Sequence, residues 1–155
     1  MNPLLSIFDI LLTPLYIIGA YAYGHYVTKK NIKEKPEYEY FTKGLMTRVF
    51  GAIGLGLVYF FYYGGGDTTN YFQSASAYGN LFFKDQNDFW IGCLGDAKGY
   101  YFSFDESTGY PVYSARDSHS FFVVLIFIPI VMLGCNSYFD SFVLVAIFTY
   151  VGMWK

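Results

Sequence analysis

The chain has 155 residues, of which 54% are hydrophobic and only 14% charged, with a formal net charge of −2. Soluble domains carry about 25% charged residues, so this deficit, the positive mean hydropathy and the blockwise clustering of apolar residues point to an all-α, polytopic membrane protein. A slightly acidic chain without basic stretches interleaved with aromatics offers nothing to a nucleic acid.

The N-terminus, Met1-Asn-Pro-Leu-Leu, lacks a basic leader and its apolar run has no small-residue cleavage site, so it reads as a retained first helix. Four apolar segments follow in order: Leu4 to Tyr26, Leu45 to Tyr63, Ser120 to Cys135 and Phe139 to Trp154. A helix crosses a hydrocarbon core with about 17–25 residues, which gives four expected transmembrane helices in a single membrane domain over residues 1–155. The short polar break around Gly134 to Ser141 suits a helical hairpin between the last two.

Lys and Arg set the orientation. Lys29, Lys30, Lys33, Lys35, Lys43 and Arg48 cluster between the first two segments, so residues 27–44 are expected in the cytoplasm. Residues 64–119 hold only Lys84, Lys98 and Arg116 as cations, and are expected outside. Alternation then places the N-terminus outside and the last hairpin turn inside. Cys93 and Cys135 would lie on opposite faces, and no disulfide is expected, because bridged Cα atoms must come within about 7 Å.

The most informative stretch is Phe60-Phe-Tyr-Tyr-Gly-Gly-Gly-Asp-Thr-Thr-Asn-Tyr-Phe-Gln-Ser-Ala75. Three glycines let the chain leave a helix with unrestricted φ. Behind Asp67, residues Tyr71, Ala75, Tyr78 and Phe82 recur at helical spacing, with Phe72 and Leu81 widening the apolar face. That pattern suits an amphipathic helix lying in the membrane interface. Asp67 reads equally well as an N-cap of this helix and as a fixed, ionised carboxylate at the membrane boundary, where such groups are costly and functional.

The remaining candidates are simpler. His119, beside Asp117 and Ser118, stands at the outer start of the third helix, where it would meet a headgroup or an anion near Asp67. Arg116 is the cation next to it and has the planar geometry that binds phosphate. Asp105-Glu106 is an acidic pair in a polar turn, and two such ligands alone define no divalent-cation site. No metal site or cofactor is therefore expected. Asp85 and Asp88 read as solvated loop residues, and Asp9 and Asp140 as helix-end groups explained by capping or snorkelling. Ala52 and Gly56, four apart in Gly51-Ala-Ile-Gly-Leu-Gly56, suggest close helix packing. The chain has no Ser-His-Asp, His-Glu-x-x-His or Cys-x-x-Cys arrangement.

Gly65-Gly-Asp-Thr-Thr-Asn-Tyr-Phe-Gln-Ser-Ala75 resembles the first outer loop of polytopic GT-C glycosyltransferases, in which an acidic residue opens an interfacial helix at the active site. The resemblance implies that Asp67 deprotonates or orients the acceptor. Tyr71 and Ala75 stand where that superfamily has a Tyr and a small residue, and the resemblance implies that a polyprenyl-phosphate-linked sugar enters from the bilayer; Tyr71, Arg116 and His119 are the substrate-binding candidates. Two departures stand out: the Asp follows the second expected helix, and members of that superfamily carry many more helices. The chain is therefore expected to be the N-terminal part of a larger protein or one subunit of a complex. The rival classes are a non-catalytic membrane subunit whose outer loop binds a partner, and a transport component using Asp67 as an ion site.

Overall fold

The computed structural model describes residues 7–94, 103–113 and 118–154. It is helical throughout: α1 (Ile7–Asn31), a 3₁₀ turn (Pro36–Tyr40), α2 (Phe41–Leu57), a π-helical turn (Val58–Tyr62), α3 (Asp67–Lys84), α4 (Gln86–Leu94), α5 (Ser118–Leu133) and α6 (Tyr138–Met153). No strand occurs among the described residues. Five of the six α-helices coincide with segments expected from apolar periodicity. The exception is α4, which begins at a cap rather than at a hydrophobic run: Asp85 Oδ1 accepts the backbone N–H groups of Asn87 and Asp88 at 2.8 and 3.1 Å, satisfying donors that a helix start leaves open.

The chain divides into two compact units, Met1–Val58 with Ser137–Lys155, and Tyr59–Asn136. The first of these units is discontinuous in sequence.

In the first unit α1, α2 and α6 pack mutually around Ala20, Phe41, Leu45, Val49, Val143 and Ala146. Contacts at the two ends fix the helix directions. At the start of α6, the Ser137 hydroxyl donates to Asp9 Oδ1 at 2.6 Å, and Asp9 stands in the first turn of α1. At the far end Trp154 packs edge-on against Tyr38 and Phe41, with ring centroids 5.7 and 5.2 Å apart. Helices α1 and α6 therefore run in the same direction and α2 runs back between them. Four alternating spans would separate residues 9 and 137 by the hydrocarbon thickness of about 30 Å. The bond between them corrects that expectation: the turn before α6 lies on the same side as the start of α1.

The pair read from the sequence packs as expected: Ala52 lies against this core and Gly56 meets Phe139 and Phe142, while Gly51 and Gly54 have nothing near them. The closest approaches are at Gly24, against Leu45 and Thr42, and at Gly44, where a Cβ would overlap the Tyr150 hydroxyl.

Outside this core, Leu11, Leu15 and Ile18 form an apolar stripe on α1 that is 58–68% exposed. Phe50 and Leu57 repeat the pattern on α2. Contiguous exposed apolar stripes of this kind mark a membrane or partner surface. Among the described residues, one helical stretch, Pro36–Tyr62, is long and apolar enough by itself to cross a membrane, while α5 and α6 reach that standard only when counted as a pair.

In the second unit α3 packs along α5 and also contacts α4. Its buried face is Phe72, Ala75, Tyr78 and Leu81, joined by Phe121, Val124, Ile128 and Val131 among the buried residues. Burial in protein accounts for the periodicity that suggested an interfacial helix. Helix α5 ends in a bonded turn, with Asn136 N–H reaching Val131 O and Cys135 N–H reaching Met132 O, the pairing of a Schellman cap. Cys135 there takes φ 52°, a left-handed position usually held by glycine.

The glycine contacts give the first prediction. Gly44→Ala drives a methyl into Tyr150 and should destabilise the protein by about 1–3 kcal/mol, the usual cost of overpacking. Gly54→Ala meets nothing and removes a poor helix former, so it should stabilise by up to about 1 kcal/mol. Thermal melting of both variants in detergent checks this. Equal effects at the two positions would contradict the packing described.

Candidate functional site

The chain reaches Asp67 through an unusual helix exit. The π turn closes α2, Gly65 N–H bonds back to Tyr59 O at 3.1 Å, and Gly64, Gly65 and Gly66 take φ of 65°, 134° and 144°. Only glycine enters these regions without steric cost. The sequence reading of the triplet as a helix exit holds.

Asp67 is not the cap. Gly66 occupies the N-cap position and Asp67 is the first helical residue. Thr69 does the capping: its hydroxyl accepts Gly66 N–H at 2.8 Å and lies 2.7 Å from Gly66 O, to which it donates. Asp67 is left exposed, with its carboxylate in the first turn, where the helix dipole favours negative charge. It has a different partner, Tyr113, whose hydroxyl donates to Oδ1 at 3.1 Å. The Tyr113 ring also lies over Tyr71, with centroids 5.0 Å apart and planes inclined 38°. One carboxylate and two aromatic faces therefore meet at the head of α3.

Segment 103–113 supplies Tyr113 and is fastened along α3 at several points. Ser74, fully buried, accepts the N–H groups of both Val112 and Tyr113 at 3.0 Å while donating to Asn70 O. Asn80 donates to Thr108 O at 3.2 Å, and Phe104 stands edge-on to Tyr78. Lys84 pairs with Asp105 Oδ2. Asp105 Oδ1 meanwhile accepts from its own turn, from the N–H groups of Ser107 and Thr108 and from the Ser107 hydroxyl. Lys84, and after it Ser107, hold the Asp105 carboxyl well below the usual carboxylate range. Both oxygens of the acidic-pair candidate are thus taken up in holding the turn.

Of the other residues singled out from the sequence, His119 is exposed at the start of α5 and makes no described hydrogen bond to Asp67 or Tyr71. Arg116 lies outside the described residues. Among the described residues no three His, Cys, Asp or Glu side chains gather to hold a metal ion. Cys93 and Cys135 are free. Burial pushes the Cys93 thiol up to about 11, which leaves it a poor nucleophile at neutral pH.

Tyr113 was not legible as a site residue. It follows Pro111 in a segment whose only sequence signal is irregularity, and its partner is 46 positions away. No family model, curated protein or solved structure matches the chain.

The fastening of segment 103–113 gives the second prediction. Ser74→Ala removes the acceptor of two part-buried backbone N–H groups, at a cost of about 1 kcal/mol, and should raise amide exchange at Val112 and Tyr113 above wild type. The Asp105 pairing has a depressed native pKa, so its contribution is present above the unfolded carboxylate value of about 3.9 and is lost as pH falls through the native one. Exchange at 112 and 113 should therefore stay flat from pH 7 to about 5 once corrected for intrinsic rates. Unchanged exchange in Ser74→Ala would mean the segment is held elsewhere.

Proposed function

We propose that the chain is an integral membrane protein whose second unit presents Asp67 and Tyr113 on the outer face to a hydroxyl-bearing substrate, in the manner of a GT-C-like glycosyltransferase. In this reading Asp67 orients or deprotonates the acceptor, Tyr71 and Tyr113 form an aromatic shelf against a sugar ring, and His119 and Arg116 serve the phosphate of a polyprenyl-phosphate-linked donor. The observation that carries it is the Tyr113 bond to Asp67 Oδ1. It fixes one carboxylate oxygen of an exposed side chain, and no described hydrogen bond occupies Oδ2. A positioned base within hydrogen-bond reach of the proton it takes is what such chemistry requires.

The orientation follows the same proposal. Residues 27–44 face the cytoplasm, by their Lys content, and residues 64–119 face outward. In this reading the helices of the first unit, α1, α2 and α6, are the ones that cross.

A second reading, a non-catalytic membrane subunit, is favoured by one particular. The described partner of Asp67 is the tyrosine of a loop in its own unit, so the carboxylate can serve as a tether for that loop, which then docks a partner subunit.

Two experiments test these readings. Asp67→Asn keeps shape and loses basicity, and in the full-length protein should lower sugar transfer from a polyprenyl-phosphate donor by about 10²–10⁴-fold with melting unchanged. Transfer at the wild-type rate would remove the catalytic role and leave the tether. For orientation, cysteines at positions 33 and 103 in a Cys93→Ser, Cys135→Ser background should differ towards an impermeant thiol reagent on intact cells. Position 103 should react and position 33 should not; the reverse pattern inverts the topology.

A further inference from the structure

The first unit holds a second polar site, remote in sequence from Asp67 and independent of the function proposed for it. Asp9 and Asp140 are 3% and 0% exposed, and the sequence offers capping as the ordinary reason for both. Half of that reason fails. Ser137 caps α6 by accepting Asp140 N–H at 3.2 Å, but the Asp140 carboxylate does not complete the reciprocal bond: both of its oxygens are buried without a hydrogen-bond partner. The Thr13 hydroxyl is likewise buried and unpartnered, although a helical threonine ordinarily bonds back to its own helix.

These orphaned groups face one another. The Thr13 and Ser137 hydroxyls stand at the edge of hydrogen-bond reach of the Asp140 carboxylate and the Asp9 charge is felt there, but the geometry closes a bond to neither Asp140 oxygen. Asp9, by contrast, is held as an acceptor by the Ser137 hydroxyl at 2.6 Å and by Phe139 N–H at 3.4 Å. Pro14, next to Thr13, has no N–H to give the carbonyl of residue 10, so that oxygen lacks its helical donor. Asp9, Thr13 and Pro14 line an open groove of about 460 Å³ whose other walls are apolar, among them Ile17, Ile53 and Phe139.

An unpaired carboxylate in such surroundings is expensive, and its usual remedies are a proton or a cation. A proton on Asp140 would serve one of its two oxygens and leave the other as it is, whereas a cation meets both oxygens and the Thr13 hydroxyl at once. The donor set is all oxygen, two carboxylates and two hydroxyls, which suits a hard cation. Magnesium keeps several of its waters, and apolar walls provide little for them to bond to. Calcium takes six to eight oxygens, more than the described residues gather here.

We propose that Asp140, Asp9, Thr13 and Ser137 form a binding site for a dehydrated monovalent cation of the sodium class. The cation gives the Asp140 oxygens and the Thr13 hydroxyl their missing partner and offsets one of the two buried negative charges. The start of α6 helps with the other, since a helix N-terminus favours an anion. Because the ligands come from α1 and from the N-cap and first turn of α6, binding also fastens the starts of those two helices together.

The test uses the full chain in detergent, melted in sodium chloride or in choline chloride at constant ionic strength, with lithium, potassium, magnesium and calcium chlorides alongside. A ligand bound only to the native state at about a hundredfold its Kd should raise the melting temperature by about 5–10 °C, and the rise should saturate. Asp140→Asn should abolish the sodium response. Thr13→Val, which keeps shape and is the safeguard should Asp140→Asn fail to fold, should shift the half-saturating sodium concentration upward by about tenfold or more. Sodium-23 line broadening that vanishes in the same variants would report binding directly. Identical melting in sodium and choline would overturn the proposal, as would a response to divalent ions alone. A sodium response unchanged in both variants would place the ion elsewhere.

Discussion

The contact between Ser137 and Asp9 constrains more of this molecule than any other single interaction. It joins the first turn of α1 to the turn before α6, 128 positions apart. By doing so it forces α1 and α6 into the same direction, leaves α2 as the return helix and makes the first unit discontinuous. It also draws two carboxylates into one buried place. A surface ion pair would contribute little. A hydroxyl-to-carboxylate bond inside apolar surroundings is different, because removing one partner leaves a buried charge short of a donor.

The second unit depends on a different device. Three glycines with positive φ turn the chain out of the π-helical end of α2, and Thr69 then closes the cap that Asp67 was expected to close. Relieved of capping, Asp67 is free to meet Tyr113. Segment 103–113 can deliver that tyrosine because Ser74, a small polar residue on an otherwise apolar helix face, receives two successive backbone N–H groups. Sequence, local geometry and site are connected here through one hydroxyl at each step.

Much of the local structure was legible in the sequence because it rests on local causes. Apolar runs gave five helices to within a few residues, the glycine triplet gave the exit, and the recurrence of Ala75 and Tyr78 gave the buried face of α3. What escaped were long-range pairings. Asp9 and Asp140 each look like ordinary helix-end acids, and nothing in either neighbourhood names the other. Tyr113 is one of 17 tyrosines, and only the fold places it above Asp67. The direction of α6 escaped for a related reason: alternation counts apolar segments, and the contact of Ser137 with Asp9 is invisible to it.

The parallel course of α1 and α6, and the closeness of their starts, is the claim on which the topology and the buried acidic pair both rest. Its most direct measurement is disulfide trapping in native membranes with cysteines at positions 9 and 137 in a Cys93→Ser, Cys135→Ser background. Mild oxidation should join residues 9 and 137 within one chain, recoverable as a single non-reduced crosslinked peptide, because their side chains are already in contact and bridged Cα atoms need only lie within about 7 Å. Absence of that crosslink in folded protein, with both cysteines reduced and unmodified, would contradict the account and restore the four-span alternation.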